Sequence, residues 1–166
     1  MDAHEFLQRY SNGKRDFSGI EMTDINFKEV NLSGANLRGS NFYSADLKKF
    51  NLSQANLWLA NLHSADLSES NLKEANLRDT TFDYGCLRGA TLEKADLRNA
   101  SLAEVDFKGA SFEGANLRNA SLFGAGLIDV NFKNADLELI NMAEAAIGGA
   151  NFDGANLDEA FYEQEI

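Results

Sequence analysis

The sequence contains no proline, one cysteine (Cys86), two histidines (His4 and His63) and one tryptophan (Trp58). Without proline, no backbone N–H is missing, which suits continuous strand-to-strand hydrogen bonding. A lone cysteine excludes an intramolecular disulfide and fits a reducing compartment. No apolar run is long enough to cross a membrane. The first residues carry Asp2 and Glu5 and lack the basic start and apolar centre of a signal peptide, so a cytoplasmic location is expected. Basic residues are also scarce: 15 Lys and Arg face 26 Asp and Glu, for a formal charge of -11. That argues against binding nucleic-acid phosphates directly. The acidic excess is concentrated in residues 134–166, which hold eight acids and no Lys or Arg.

What the chain does have is a strict repeat. A large apolar residue stands at every fifth position from Phe17 to Tyr162, as in Phe112, Leu117, Leu122, Leu127, Phe132 and Leu137. Two residues before each is a small apolar one, such as Ala110, Ala115 and Ala120. A period of five would spiral around an α-helix, whereas residues two apart in an extended segment point the same way. The large central residue and the small one therefore face inward, and the residue between them, usually Asn or Asp, faces outward. The remaining two must turn the chain. Gly19, Gly34, Gly39, Gly109 and others fill the last of these slots.

A longer period gives the number of sides. Asp recurs before the central residue at Asp16, Asp96 and Asp136 on one side and at Asp46, Asp66 and Asp106 on the opposite one. Ser or Thr occupies the other two sides, at Thr81, Ser101 and Ser121 and at Thr91 and Ser111. Phe112, Phe132 and Phe152 recur at the same interval, as do Arg78, Arg98 and Arg118. A coil of four sides and twenty residues explains all of these. The length of the 166-residue chain then predicts about seven and a half coils stacked at roughly 4.8 Å.

The segments ANLRG, ANLWL, ADLSE, ANLRN and ADLRN closely fit the consensus A(D/N)LXX. The chain thus resembles the pentapeptide-repeat proteins over nearly its whole length after Arg15. The resemblance implies an all-β, right-handed quadrilateral β-helix. The opening LQRYSNGKRDFSG is similar to the start of many bacterial, especially cyanobacterial, members. An open solenoid end needs a cover. Asp2 and Glu5 resemble a capping box and Gly13 a helix terminator, so a short α-helix is expected over Ala3–Ser11, with Phe6, Leu7 and Tyr10 facing the first coil. The expected organisation is a helical cap over 1–14 and the β-helix over 15–166. Phe50, in a slot meant for a small residue, predicts a bulge in the wall.

Chemistry is sparse. His63 and Asp83 are twenty apart, with Ser44 and Ser64 near, which can be read as a hydrolase triad or as a solvated pair. A convex rod offers no water-excluding pocket, so catalysis ranks last. No cluster has metal-ligand spacing, and no metal or other cofactor is expected. The side holding residues 20–24, 40–44 and so on carries Glu21, Asp24, Asp83, Glu104, Glu144 and Glu163, no Lys or Arg, and Tyr43, His63, Tyr84 and Phe123. Tyr43, His63, Asp83, Tyr84, Glu104, Phe123 and Glu144 form the candidate face for another protein. Another side carries Arg38, Trp58, Arg78, Arg98 and Arg118, read as a screened lattice more than a recognition stripe. The expected function is a non-enzymatic structural or protein-binding module. The resemblance adds an alternative, since some members imitate duplex DNA and inhibit DNA gyrase. At the other end, Phe161, Tyr162 and Ile166 are candidates for a weak homodimer contact.

Overall fold

The computed structural model describes residues 3–26 and 29–162, with the side chain of Ala3 outside the described set. Asp2 of the expected capping box lies outside it too. Beyond one helix, α1 (Ala3–Ser11), the chain coils continuously. Each residue before a central position forms a parallel bridge with the residue twenty further on, from Asp16↔Asn36 to Asn141↔Phe161. Two bonds make each bridge. The Phe17 N–H donates to the Asn36 carbonyl at 2.8 Å, and the Asn36 N–H donates to the Arg15 carbonyl at 2.7 Å. The corner adds a third, from the Gly19 N–H to the Arg38 carbonyl at 2.8 Å. These bonds repeat along the rod, so backbone satisfaction is built into the five-residue unit.

Each corner is a β-turn closed by a bond such as Ala55 N–H to the Leu52 carbonyl, 3.0 Å. Its third residue takes a positive φ, as a type II turn requires. This holds from Gly19 to Glu159 whichever residue stands there: Leu59 at 60°, Tyr84 at 59° and Leu139 at 60° adopt the same backbone as Gly109 at 70°. The outward Asn or Asp has a specific task. Its Oδ1 accepts the N–H of the first corner residue, as in Arg38 N–H to Asn36 at 3.3 Å and Tyr43 N–H to Asn41 at 3.1 Å. Its amide, when Asn, donates to the coil before, as from Asn76 to Asn56 at 3.1 Å and from Asn56 to Asn36 at 3.2 Å. These side chains therefore tie coils together while half exposed.

The interior is a single column of leucines, phenylalanines and alanines, nearly all fully buried from Leu32 to Met142. Phe112, Phe132 and Phe152 stack with centroids 5.2 Å apart. The three buried polar residues stand in small-residue slots, and each hydroxyl donates to a carbonyl: Ser40 to Phe17, Ser70 to Leu47 and Thr80 to Leu77. Phe50 is accommodated without breaking the ladder. Its turn bond to Leu47 lengthens to 3.3 Å, and the Ser70 hydroxyl supplies a second acceptor to the Phe50 N–H at 3.0 Å. Asn51 still bonds to Val30 and Asn71 to Phe50.

Helix α1 covers the first coil. Phe6 is fully buried and meets Phe17 edge-on at 4.5 Å. The Tyr10 hydroxyl donates to the Ser33 carbonyl at 2.8 Å, on the edge where a preceding coil would have placed an amide. The helix closes in a Schellman arrangement, Lys14 N–H to Arg9 carbonyl and Gly13 N–H to Tyr10 carbonyl, with Gly13 at φ 93°. At the other end Ile147, Phe152, Ala155, Leu157 and Ala160 are only partly buried.

Candidate functional site

The Tyr43 side is assembled by the register alone. Its first corner row runs Tyr43, His63, Asp83, Ala103, Phe123, Ala143, and its second corner row Ser44, Ser64, Tyr84, Glu104, Gly124, Glu144. The His63 ring stacks flat on Tyr43 at 5.6 Å and meets Tyr84 edge-on at 5.4 Å, so three rings form one continuous row over neighbouring coils. Tyr43 is 44%, Tyr84 59% and Phe123 36% exposed. Phe123 stands apart from those rings, between Ala103 and Ala143. These two alanines, legible from the slot assignment, leave Phe123 without an aromatic neighbour in its row.

The triad geometry is not formed. Asp83 Oδ1 accepts from the Ser101 hydroxyl at 2.7 Å and from the Ala103 N–H at 2.9 Å, turning it toward the next coil. That second bond does the work that an Asn would do where Ser101 is too short to reach. His63 is held by tyrosine rings and makes no hydrogen bond through its ring among the described residues. Cys86 lies against the Ser68 hydroxyl at 3.2 Å, and no group of His, Cys, Asp or Glu suited to a metal occurs among the described residues.

Charge separates this side from the other three. The coil ion pairs of the described residues all lie elsewhere. Lys48 meets Asp66 at 3.1 Å and Asp46 at 3.6 Å, and Lys73 meets Glu93 at 3.1 Å. Arg88 pairs with Asp106, Arg98 with Asp96, and Arg118 with Asp136 and Glu138. On the Trp58 side, Arg38 lies over the indole at 4.3 Å and Trp58 Nε1 donates to Asp79 at 2.9 Å. That arginine row is thus largely spent within the molecule. Several pairs move acid–base equilibria. Burial tends to raise the Asp96 pKa, but the bonds from Arg98 outweigh it and hold it low. Burial likewise opposes, and the Ser68 bonds with Lys48 overcome, at Asp66. By contrast, Asp24, Glu104 and Glu144 make no side-chain bond or ion pair among the described residues. Glu163, the last acid assigned to this side, lies outside them, as does Ile166.

At the far end, Phe161 is 58% and Tyr162 39% exposed. Phe161 occupies a bridge slot, paired with Asn141 through its backbone while its ring projects outward.

Three segments, 20–58, 60–99 and 100–138, each match the family model described as pentapeptide repeats (8 copies). The chain belongs to the pentapeptide-repeat family. Its coil is accordingly the right-handed quadrilateral β-helix of that family. No curated protein matches the sequence. Among solved structures, QnrB1, a plasmid-mediated fluoroquinolone resistance protein, is 19% identical with a TM-score of 0.79, over 86% of this chain and 72% of that one. A pentapeptide-repeat protein of the Arabidopsis thaliana thylakoid lumen is 33% identical with a TM-score of 0.55, over 57% of this chain and 66% of that one. HetL of the cyanobacterium Nostoc sp. strain PCC 7120, involved in heterocyst differentiation regulation, is 28% identical over 96% of both chains, with a TM-score of 0.35. The described sides of the rod present side chains at the fixed spacing of the coils.

Proposed function

We propose that this pentapeptide-repeat protein is a non-enzymatic interaction module that binds another protein through its Tyr43 side. The observation that carries this is the exposed row of Tyr43, His63 and Tyr84, continued by Phe123, on the one side with no basic residue. The rings sit on a backbone bonded to the coils before and after, so little ordering entropy is lost on binding. Tyrosine and phenylalanine supply the apolar area that interface centres use. No described helix is long and apolar enough to cross a membrane, so nothing in the helical part favours a lipid partner. The test is capture from the native host with the wild type and with Tyr43, Tyr84 and Phe123 all replaced by Ala. A partner retained by the wild type and lost by the variant is expected; equal retention would overturn this assignment.

Imitation of DNA calls for acidic charge presented along the rod. Here Lys and Arg interrupt that charge on three sides, where they pair with carboxylates such as Asp66, Glu93, Asp96 and Glu138. The purified protein is therefore expected to leave gyrase supercoiling unchanged, and inhibition in that assay would favour DNA mimicry instead. We further propose a weak contact between two copies at the partly exposed last coil, through Phe161 and Tyr162.

A further inference from the structure

The interaction-module function leaves the partner's chemistry open, and the stretch from Asp83 to Glu144 narrows it. Phe123 stands 36% exposed in the register between Ala103, partly exposed, and Ala143, which is buried. At the corner beside this row stand Glu104 and Glu144, both exposed. Neither has an intramolecular cation among the described residues, whereas Asp66, Glu93 and Glu138 on other sides do. Asp83 spends Oδ1 on Ser101 and Ala103, and its Oδ2 accepts no hydrogen bond among the described residues. Unpaired carboxylates beside exposed ring faces suit guanidinium groups, which stack on aromatics and bond carboxylates through a planar fork. An alkyl stem can lie along the exposed Phe123 ring while its charged head meets the glutamate.

Spacing adds a second condition. Glu104 and Glu144 are two coils apart, roughly 10 Å at the β spacing. A polyproline II segment advances about 3.1 Å per residue with three residues per turn, so residues three apart share a face at about the same distance. We propose that the Asp83–Glu144 stretch docks an extended basic segment of the partner that carries arginine at every third residue. This rests on the interaction-module function and specifies its ligand. The arginines lie against the Phe123 ring and pair with Glu104 and Glu144.

The probe is a fluorescein-labelled peptide of four Arg-Pro-Pro units. The control peptide has the same composition with its arginines contiguous. Binding is followed by anisotropy with the full chain at about 150 mM salt, where charges more than about 8 Å apart are screened. Saturable binding of the spaced peptide is expected, at least about threefold tighter than the contiguous one. Glu104→Gln and Phe123→Ala should each weaken it by at least about fivefold, the scale of a residue that matters in an interface. Asp153→Asn removes the same charge from a different side and should change it less than about twofold. Circular dichroism of each variant confirms that the coil is intact. Absent binding, equal affinity for the two peptides, or equal loss in Asp153→Asn would overturn the inference. Should the peptide fail while host-protein capture still depends on Tyr43, Tyr84 and Phe123, this inference falls and the interaction-module function stands. Failure of both removes both.

Discussion

At the scale of single residues, the corners carry a distributed strain. Every corner from Gly19 to Glu159 is left-handed, and side chains occupy most of them. A non-glycine residue there costs on the order of 1–2 kcal/mol, which the three-way ladder bonding of each coil offsets. Gly109, at φ 70° with nothing within 4 Å of an added Cβ, isolates that cost. Gly109→Ala should therefore lower stability by about 1 kcal/mol, measured by urea denaturation. Gly85 reverses the logic. Its φ is ordinary, but a Cβ would lie 2.9 Å from the Ala65 carbonyl and 2.9 Å from the Phe82 ring. Gly85→Ala should cost more than Gly109→Ala, although alanine is the usual residue in that slot. The opposite order would mean that backbone strain, and not close packing, dominates. In the column, Leu117→Ala should cost about 2–5 kcal/mol, because neighbours bonded above and below cannot collapse into the cavity.

At the scale of elements, α1 does for the first coil what another coil does for the rest. It supplies Phe6 to the apolar end and the Tyr10 hydroxyl to the Ser33 carbonyl. Phe6→Ala should cost about 3–5 kcal/mol and Tyr10→Phe about 1 kcal/mol, since only the latter leaves the packing in place. Deleting residues 1–12 should lower both the unfolding midpoint and the solubility by uncovering Phe17, Ile20 and Met22. A truncated protein with an unchanged midpoint would show the helix to be an appendage. In a solenoid such losses are felt first by the adjoining coils. Fraying of the first coils before the centre should accordingly appear in amide exchange.

At the scale of the whole molecule, acidity and the partly buried last coil govern behaviour. Asp66 and Asp96 have pKa values below the ordinary aspartate value. A depressed folded-state pKa contributes stability above the unfolded value, and that stability is lost as pH falls through the folded one. The thermal midpoint should therefore decline below about pH 4, the unperturbed aspartate range. Asp66→Asn with Asp96→Asn should be less stable at neutral pH and show a shallower acid decline. An identical acid limb in that variant would exclude these carboxylates as the cause. The proposed end contact is tested by sedimentation equilibrium. Association should rise with salt as acid repulsion is screened, and Phe161→Asp should abolish it. A monomer at all salt concentrations would rule the contact out.

Periodicity by itself determined the coil. A five-residue spacing with paired inward slots has one economical solution, and the twenty-residue recurrence of Asp, Ser and Arg sets four sides, because local backbone geometry and side-chain size act within each unit. The helix was legible for the same reason, its boundaries lying at Ala3 and Ser11 with Gly13 ending it. The column around Phe50 was less so. Only the folded arrangement brings the Ser70 hydroxyl to the Phe50 N–H and keeps the wall unbroken. The candidate face was half legible. Register alone places Tyr43, His63 and Tyr84 on one side, but side-chain torsions choose among neighbours that register leaves equivalent. They put His63 against tyrosine rings and turn Asp83 to Ser101 and Ala103, dissolving the apparent triad. Ion pairing was likewise decided in three dimensions. Lysine and arginine can reach carboxylates within their own coil or the next, and the tertiary structure selects Asp66 and Asp46 for Lys48 and Glu138 for Arg118, whereas the lack of Lys and Arg on the Tyr43 side was already legible in the register.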